Sequence, residues 1–339
     1  MASKAALILA EKALRSAIDS SDDSESRNHS EREKPVSSIS STSLIPPMAR
    51  FGPSLLAAVM ALMMFEMPTA NSAEPEISLS RITHIHGVAF DEDDASHVYI
   101  GSGHEFFRVA QDGSLERFVP DRPDFKGFAI HPSQPTKFVA SGHPQGGGNL
   151  EFIASDDAGR TWSGLTEATL KPAKVHFMAM SALNPNVVYC THHGGLQVSR
   201  DAGATWTNEG EVPSGVLDIA ASAIKEGTIY VGTPQGLMVT RDAGMTWSEA
   251  FKSKKKRPAT MVEILPDGTL YTFSHGQGLI TFDGTTRKGK ILAGAKKFDG
   301  ALIRLAANPK NKDHLVAVTQ YMKLLVSEDG GKTWGKFVR

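Results

Sequence analysis

The sequence predicts an all-β fold, a six-bladed β-propeller with four-stranded blades, preceded by a disordered and signal-peptide segment. The first observation is an octapeptide, Ser/Thr-x-Asp-x-Gly-x-Thr-Trp, whose four copies begin at residues 155, 199, 240 and 327. The second is that short apolar runs alternate with turn residues between these copies, which is typical of β-strands. Repeats of about 40–50 residues are typical of propellers and solenoids.

Two degraded copies complete a series of six repeats. The last two full copies start 87 residues apart, about twice the other spacings of 44 and 41. A partial copy, TFDGTT, lies in this interval at 281–286, and another, VAQDGS, lies upstream at 109–114. The third repeat shows the four strand-like runs expected of a blade, VHFMAMS, NVVYCT, GLQVS and TWTNEG. Six such repeats predict a closed propeller.

The residues before the repeats have a different character. Residues 18–47 are rich in Ser, Asp, Glu and Arg, and we interpret residues 1–47 as a disordered extension or a mis-assigned start. Residues 48–73 combine Arg50, an apolar run at 54–65 and small residues before Ala73, the pattern of a signal peptide; the alternative is a buried helix. The apolar run is shorter than the roughly 20 residues that a membrane helix needs. We therefore expect residues 74–339 to be an exported propeller, periplasmic or secreted, with no membrane span after signal cleavage.

The composition narrows the functional classes. The formal net charge is -1, so nothing in the sequence favours binding to nucleic acid. The chain contains one cysteine, Cys190, and therefore no internal disulfide is expected.

The octapeptide resembles the Asp box of BNR-repeat propellers, a group within the sialidase-like superfamily. The segments ITHIHG, SGHP and VHFMAM are similar, more narrowly, to exported bacterial proteins labelled glycosylhydrolase by analogy. The resemblance covers about residues 80–339 and implies that the octapeptides are scaffold on the face away from the ligand site. True sialidase activity is not expected, because only Arg304 is predicted to line the channel and Arg81-Ile82-Thr83 departs from the Arg-Ile-Pro of that family.

Each octapeptide is expected to close the hairpin between the third and fourth strands of its blade. Gly203 would supply a positive φ, the side chains of Ser199 and Asp201 would bond backbone amides, and Trp206 would fill the space between blades. The residues assigned to this structural role are Ser155, Asp157, Gly159, Trp162, Ser199, Asp201, Gly203, Trp206, Thr240, Asp242, Gly244, Trp247, Ser327, Asp329, Gly331 and Trp334.

The chemistry is expected in the central channel, which the first strand of each blade lines. The repeats are aligned on their second strands, and counting back 13 residues from Tyr99, Val139, Tyr189 and Ala317 gives His86, Lys126, His176 and Arg304. Blades 4 and 5 have slightly different hairpin lengths, and their nearest equivalents are Asp218 and Glu263, so every blade offers an ionisable side chain at about the same depth. Charged side chains are rarely buried without partners, so this ring predicts a polar channel. We interpret four members of this ring as ligand-binding residues: His86, Lys126, His176 and Arg304. The alternative is that the charges of the ring satisfy one another, with Lys126 and Arg304 facing Asp218 and Glu263.

The loops after the second strands are rich in histidine and suggest a metal site. Neutral imidazole suits Zn or Cu, and the candidate ligands are His84, His86, His104, His143, His176, His193 and His275. A glycan or a carboxylate would use the same side chains as hydrogen-bond donors.

Two functional hypotheses remain open at this stage. The first is an exported propeller that binds a glycan, a small anionic ligand or an exported protein partner through its histidine-rich face. The second is a hydrolase acting on glycosidic bonds, with Asp218 and Glu263 as the acid and base. A metal-dependent variant of this hydrolase would use His84, His86, His176 and the loop histidines.

Overall fold

The computed structural model describes residues 82, 84–103, 105–118, 124–131, 134, 136–143, 150–165, 175–251, 255–282 and 288–339. The segments interpreted as a disordered extension, 1–47, and as a signal peptide, 48–73, lie outside these residues. Within the described ranges, no helix has the length and the apolar composition needed to cross a membrane.

The described chain is all-β, and its strands form six four-stranded antiparallel sheets in sequence order, which confirms the predicted six-bladed propeller. Blades 1 to 3 consist of β1 (Ile85–Phe90), β2 (His97–Ser102), β3 (Phe106–Ala110), β4 (Leu115–Arg117), β5 (Asp124–Ile130), β6 (Phe138–His143), β7 (Leu150–Ser155), β8 (Ser163–Gly164), β9 (Met178–Met180), β10 (Val188–His192), β11 (Gly195–Ser199) and β12 (Thr207–Glu211). Blades 4 to 6 consist of β13 (Asp218–Ala221), β14 (Ile229–Thr233), β15 (Gly236–Thr240), β16 (Ser248–Glu249), β17 (Ala259–Ile264), β18 (Leu270–Ser274), β19 (Gly278–Phe282), β20 (Gly289–Gly294), β21 (Leu302–Asn308), β22 (Asn311–Thr319), β23 (Leu324–Ser327) and β24 (Gly335–Lys336). A 3-10 turn, Ala295–Lys297, follows β20.

The apolar core is divided into six clusters, and each cluster is shared by two neighbouring blades. This division arises because successive side chains of a strand point to opposite faces of its sheet, and each face packs against a different neighbour. The blades are therefore held to one another by apolar burial, at roughly 25 cal/mol for each Å² removed from water.

The ring closes by packing between blades 6 and 1. The innermost strand β21 contacts β1, as each of the other innermost strands contacts its neighbour. Phe337 is fully buried in the cluster shared by these two blades, and the amide of Arg339 donates to the carbonyl of Gln111 at 2.9 Å. Each described sheet consists of consecutive strands, so the end of the chain fastens blade 6 to blade 1 without exchanging a strand.

The octapeptide turns connect the third and fourth strands of blades 2, 3, 4 and 6, and they share one hydrogen-bond pattern. In blade 3 the Ser199 hydroxyl donates to Asp201 Oδ1 at 2.7 Å and accepts from the Gly203 amide at 2.7 Å. Asp201 also accepts from the amide of Thr205 at 2.8 Å. Ala202 has a φ of 58° and Gly203 a φ of 99°. An alanine in this left-handed region costs roughly 1–2 kcal/mol, and the surrounding hydrogen bonds offset that cost.

The four tryptophans of these turns pack toward the preceding blade. The ring of Trp206 in blade 3 stacks on Phe152 of blade 2, with the ring centroids 4.5 Å apart. Three of the indole Nε1 atoms donate to the glycine carbonyl of their own turn, whereas Trp247 donates to the carbonyl of Glu211 in blade 3. The recurring tryptophan therefore fills the boundary between blades.

Candidate functional site

A cavity of about 470 Å³ occupies the centre of the ring and is lined by the first strands of all six blades. Its described lining includes five of the six predicted channel residues: His86, His176, Asp218, Glu263 and Arg304. The sixth, Lys126, lies in β5, and its side chain is outside the described residues. Side chains that are far apart in sequence thus converge from blades 1, 3, 4, 5 and 6.

Irregularities in the inner strands help to position these side chains. The register of β1 with β2 shifts between Ile85 and Gly87, and that of β21 with β22 shifts between Leu302 and Arg304. Corresponding shifts occur in β5 and β17. An extra residue in a strand bends it and re-aims the neighbouring side chains. His86 lies at such a position and Arg304 directly follows one, at the ends of the strands nearest the histidine-rich loops.

Arg304 ties blade 6 to blade 1 and faces the carboxylate of blade 4. Its Nε donates to the carbonyl of His86 at 2.7 Å, and its Nη1 donates to the carbonyl of Ile303 at 2.6 Å. The same Nη1 lies 3.7 Å from Asp218 Oδ1. The guanidinium carbon is 5.8 Å from the centre of the Phe177 ring, within the range of a cation–π contact. Asp218 and Arg304 are each 15% exposed, so the pair is shielded from bulk water but reachable through the channel.

The two carboxyl groups of the channel have unusual proton affinities. Burial raises the pKa of Asp218 to about 6, and the charge of Arg304 and the Val262 amide, which donates to Asp218 Oδ2 at 2.9 Å, oppose that rise. Burial, and to a smaller extent the negative charge of Asp218, raise the pKa of Glu263 to about 8. At neutral pH, Glu263 is therefore mainly a neutral hydrogen-bond donor while Asp218 is mainly ionised.

Two imidazoles complete this end of the channel. The rings of His86 and His176 come from blades 1 and 3, and their centroids are 6.4 Å apart with a tilt of 58°. Phe177 adjoins His176, with the ring centroids 6.3 Å apart. The channel mouth thus presents imidazoles, a guanidinium, two carboxyls and an aromatic surface to one space.

The other predicted histidine ligands do not all join this group. His193 lies in the turn after β10, and His275 is exposed in the turn after β18. His84, just before β1, adopts a φ of 55°. His104 and the side chain of His143 are outside the described residues. Among the described side chains, no three of His, Cys, Asp or Glu are arranged so that they could hold a metal ion. A Zn or Cu site therefore stays a prediction.

The structure also places in the cavity a histidine that the sequence did not single out. His131 follows β5 directly, is buried, and lines the cavity near its other end. Burial and the nearby charge of Lys137 lower the pKa of His131. The feature of the sequence that could have identified His131 is its position at the end of an inner strand.

The fold and the site define the class of protein: a six-bladed β-propeller with a polar channel. No protein-family model matches the chain, and no curated protein matches it. Solved propeller structures are similar in fold. A GH74 enzyme from Niastella koreensis has a TM-score of 0.51 at 15% identity, covering 75% of this chain and 45% of that chain. The GH74 xyloglucanase from Xanthomonas campestris has a TM-score of 0.53 at 18% identity, covering 77% and 46%.

The chain spans less than half the length of these two enzymes. A third similar structure, YCF48 bound to D1 peptide, has a TM-score of 0.49 at 16% identity and covers 77% of this chain and 84% of that chain. At these identities the likeness concerns the fold.

Proposed function

We propose that this protein is an exported propeller that binds a polar ligand in its central channel. The observation that carries the proposal is the convergence of His86, His176, Asp218, Glu263 and Arg304, from five different blades, on one cavity of about 470 Å³. The prediction of export rests on the signal-peptide pattern at 48–73. The ligand would be a glycan, a small anionic molecule or an exposed group of an exported protein.

The size and the chemistry of the cavity support binding. Ligand pockets usually measure about 300–1,000 Å³ and contain a few convergent polar groups. Desolvated polar groups are costly unless they find partners, so a ligand that satisfies them gains affinity and specificity. Arg304 offers a cation, Asp218 an acceptor and neutral Glu263 a donor, which suits a ligand carrying both acceptor and donor groups.

The test is a screen for thermal stabilisation with neutral sugars, uronic acids and dicarboxylates. At 100 times its dissociation constant, a ligand should stabilise the fold by about 2.7 kcal/mol. We expect Glu263→Gln and His86→Asn each to weaken binding of the hits at least tenfold. His275→Asn, a change on an exposed histidine outside the channel, is the matched control and should leave binding unchanged. Failure of all three compound classes to stabilise the protein, or equal binding by the variants, would contradict the proposal.

A second candidate is hydrolysis of a glycosidic bond, favoured by one specific observation. The two channel carboxyls have separated pKa values, about 8 for Glu263 and about 6 for Asp218. Such a separation is what assigns acid and base roles to a pair of carboxyls. Neutral Glu263 would give its proton to the leaving oxygen as the glycosidic C–O bond breaks. Ionised Asp218 would take a proton from the water whose oxygen bonds to the anomeric carbon.

Hydrolysis by this pair has a defined pH profile. We expect the rate to rise through about pH 6, as Asp218 ionises, and to fall through about pH 8, as Glu263 loses its proton. Xyloglucan oligosaccharides are the first substrates to test, because one similar structure is a xyloglucanase. Glu263→Gln should lower kcat at least 100-fold. An unchanged rate in that variant, or a pH-independent rate, would reject this candidate.

A further inference from the structure

A second cavity lies over blade 3, beside the channel mouth. It measures about 630 Å³ and is formed by the turn after β10, the end of β12 and the connection to blade 4. We call it the blade 3 pocket. His176 and Phe177 line both this pocket and the central channel, so the two cavities adjoin at these two residues.

The walls of the blade 3 pocket are held by hydrogen bonds within and between blades. The amide of Val212 donates to the carbonyl of Gly194 at 2.8 Å, which fastens the connection to the turn. The indole of Trp247, in blade 4, donates to the carbonyl of Glu211 at 2.9 Å and fixes the far wall. In the turn itself the rings of His192 and His193 meet edge to face, with centroids 4.1 Å apart. These contacts fix the walls of the pocket relative to one another.

One amide side chain in this pocket is oriented in advance. Asn208 Oδ1 accepts from the Gly210 amide at 3.0 Å, which fixes the direction of the side-chain amide. Its Nδ2 packs over Gly195, where an added Cβ would lie only 2.8 Å away. The absence of a side chain at position 195 thus leaves room for the Asn208 amide. An oriented, exposed NH₂ group is a suitable donor to a hydroxyl or carbonyl oxygen.

We infer that the blade 3 pocket is a second binding subsite, which receives the next units of an extended sugar chain whose end lies in the channel. This inference rests on the proposed function of the channel. The described lining combines amide, imidazole and hydroxyl groups with the apolar surfaces of Phe177, Val212 and Pro213. Among those lining residues Glu211 is an acid and none is Lys or Arg, so a neutral polyhydroxylated chain fits better than a polyanion.

The subsite has a length-dependent test. Binding is measured by calorimetry with neutral cello-, xylo- and malto-oligosaccharides and with acidic oligogalacturonates, each of two and six units. We expect a neutral hexasaccharide to bind at least tenfold more tightly than its disaccharide. Asn208→Ala should remove most of this gain and leave the affinity for the disaccharide unchanged.

Matched controls separate the possible outcomes. Asn186→Ala changes an exposed asparagine in the hairpin before β10, outside both cavities, and should alter neither affinity. Asn208→Asp keeps the size of the side chain while removing the NH₂ donor, and should reproduce the loss if Asn208→Ala folds poorly. Equal affinity of short and long neutral chains, or retention of the gain in both Asn208 variants, would overturn the subsite while leaving channel binding intact. A preference for oligogalacturonate would contradict the assignment of neutral sugar chains to the blade 3 pocket. If none of these sugars binds, the inference is overturned even where small anions occupy the channel.

Discussion

Replacing Trp206 by alanine is expected to lower the free energy of unfolding by about 3–5 kcal/mol. Trp206 is 6% exposed, stacks on Phe152 of the preceding blade, and donates from Nε1 to the carbonyl of Gly203 at 2.9 Å. The substitution removes the apolar burial, leaves a cavity between two blades and deprives the turn of a hydrogen bond. Denaturation by urea, followed by the fluorescence of the other three tryptophans, measures the loss.

Trp247 provides the matched control for this effect. It occupies the same position in the turn of blade 4 but is only partly buried, and its indole donates to Glu211 instead of to its own turn. We expect Trp247→Ala to cost about 2 kcal/mol or less. Trp206→Phe keeps an aromatic ring against Phe152 and should recover part of the loss if the alanine variant fails to fold. Equal losses in the two alanine variants, or a loss below about 1 kcal/mol for Trp206→Ala, would show that burial between blades is not the role of this residue.

The fold could be predicted from the sequence because two independent features repeat along the chain: the octapeptide with its partial copies, and the short apolar runs typical of strands. The octapeptide marks one turn in each of four blades, and the partial copies at 109–114 and 281–286 begin at the ends of β3 and β19, the third strands of blades 1 and 5. Ring closure could not be predicted, since it depends on Phe337 and Arg339 packing against blade 1 across the whole chain. The positive φ of Ala202 also has no signal in the sequence, because alanine does not favour that conformation.

The identity of the channel residues could be predicted from the sequence, but the geometry that places them in the channel could not. Tyr99 and Ala317 each lie 13 residues after the channel residue of their blade, His86 and Arg304, so counting makes them equivalent. In the structure, however, Ala317 faces the core shared with the preceding blade, whereas Tyr99 faces the core shared with the following one. The repeat is therefore out of register by one residue in blade 6. Arg304 lines the channel nonetheless, next to an irregularity of β21. Counting cannot detect such irregularities, because they are set by the pairing of strands.

Proton affinities depend on the folded environment and could not be predicted from the sequence. The composition shows that Asp218 and Glu263 are acids, but their pKa values follow from how deeply the ring of blades buries them and from the position of Arg304. The blade 3 pocket was missed for a related reason. Asn208 carries no motif, and its role emerges only when Gly195 and Gly210 are brought beside it.

Replacing Glu263 by glutamine is expected to make the protein more stable than the wild type at alkaline pH. The pKa of Glu263 is raised from 4.5, its ordinary value, to about 8 in the folded protein. Between these values the folded state holds a proton that the unfolded state has released, so wild-type stability falls as the pH rises through this window. Since each pKa unit corresponds to about 1.36 kcal/mol, the loss is on the order of 5 kcal/mol and is complete above about pH 8. Glutamine is neutral at every pH and avoids it.

The measurement is urea denaturation at pH 5, 7 and 9 for the wild type and Glu263→Gln. We expect similar stability at pH 5, a widening difference at pH 7, and the full difference at pH 9. Glu226→Gln, a change on an exposed glutamate in the hairpin after β13, is the matched control and should follow the wild type at each pH. Asp218 adds its own loss of stability between about pH 4 and pH 6, because burial also raises its pKa. This loss is present in both the wild type and Glu263→Gln, so it largely cancels when the two proteins are compared. Parallel curves for the wild type and Glu263→Gln would mean that Glu263 ionises as easily in the channel as in the unfolded chain. The channel would then hold no neutral acid at pH 7, and both ligand recognition by a Glu263 donor and proton transfer from it would lose their physical basis.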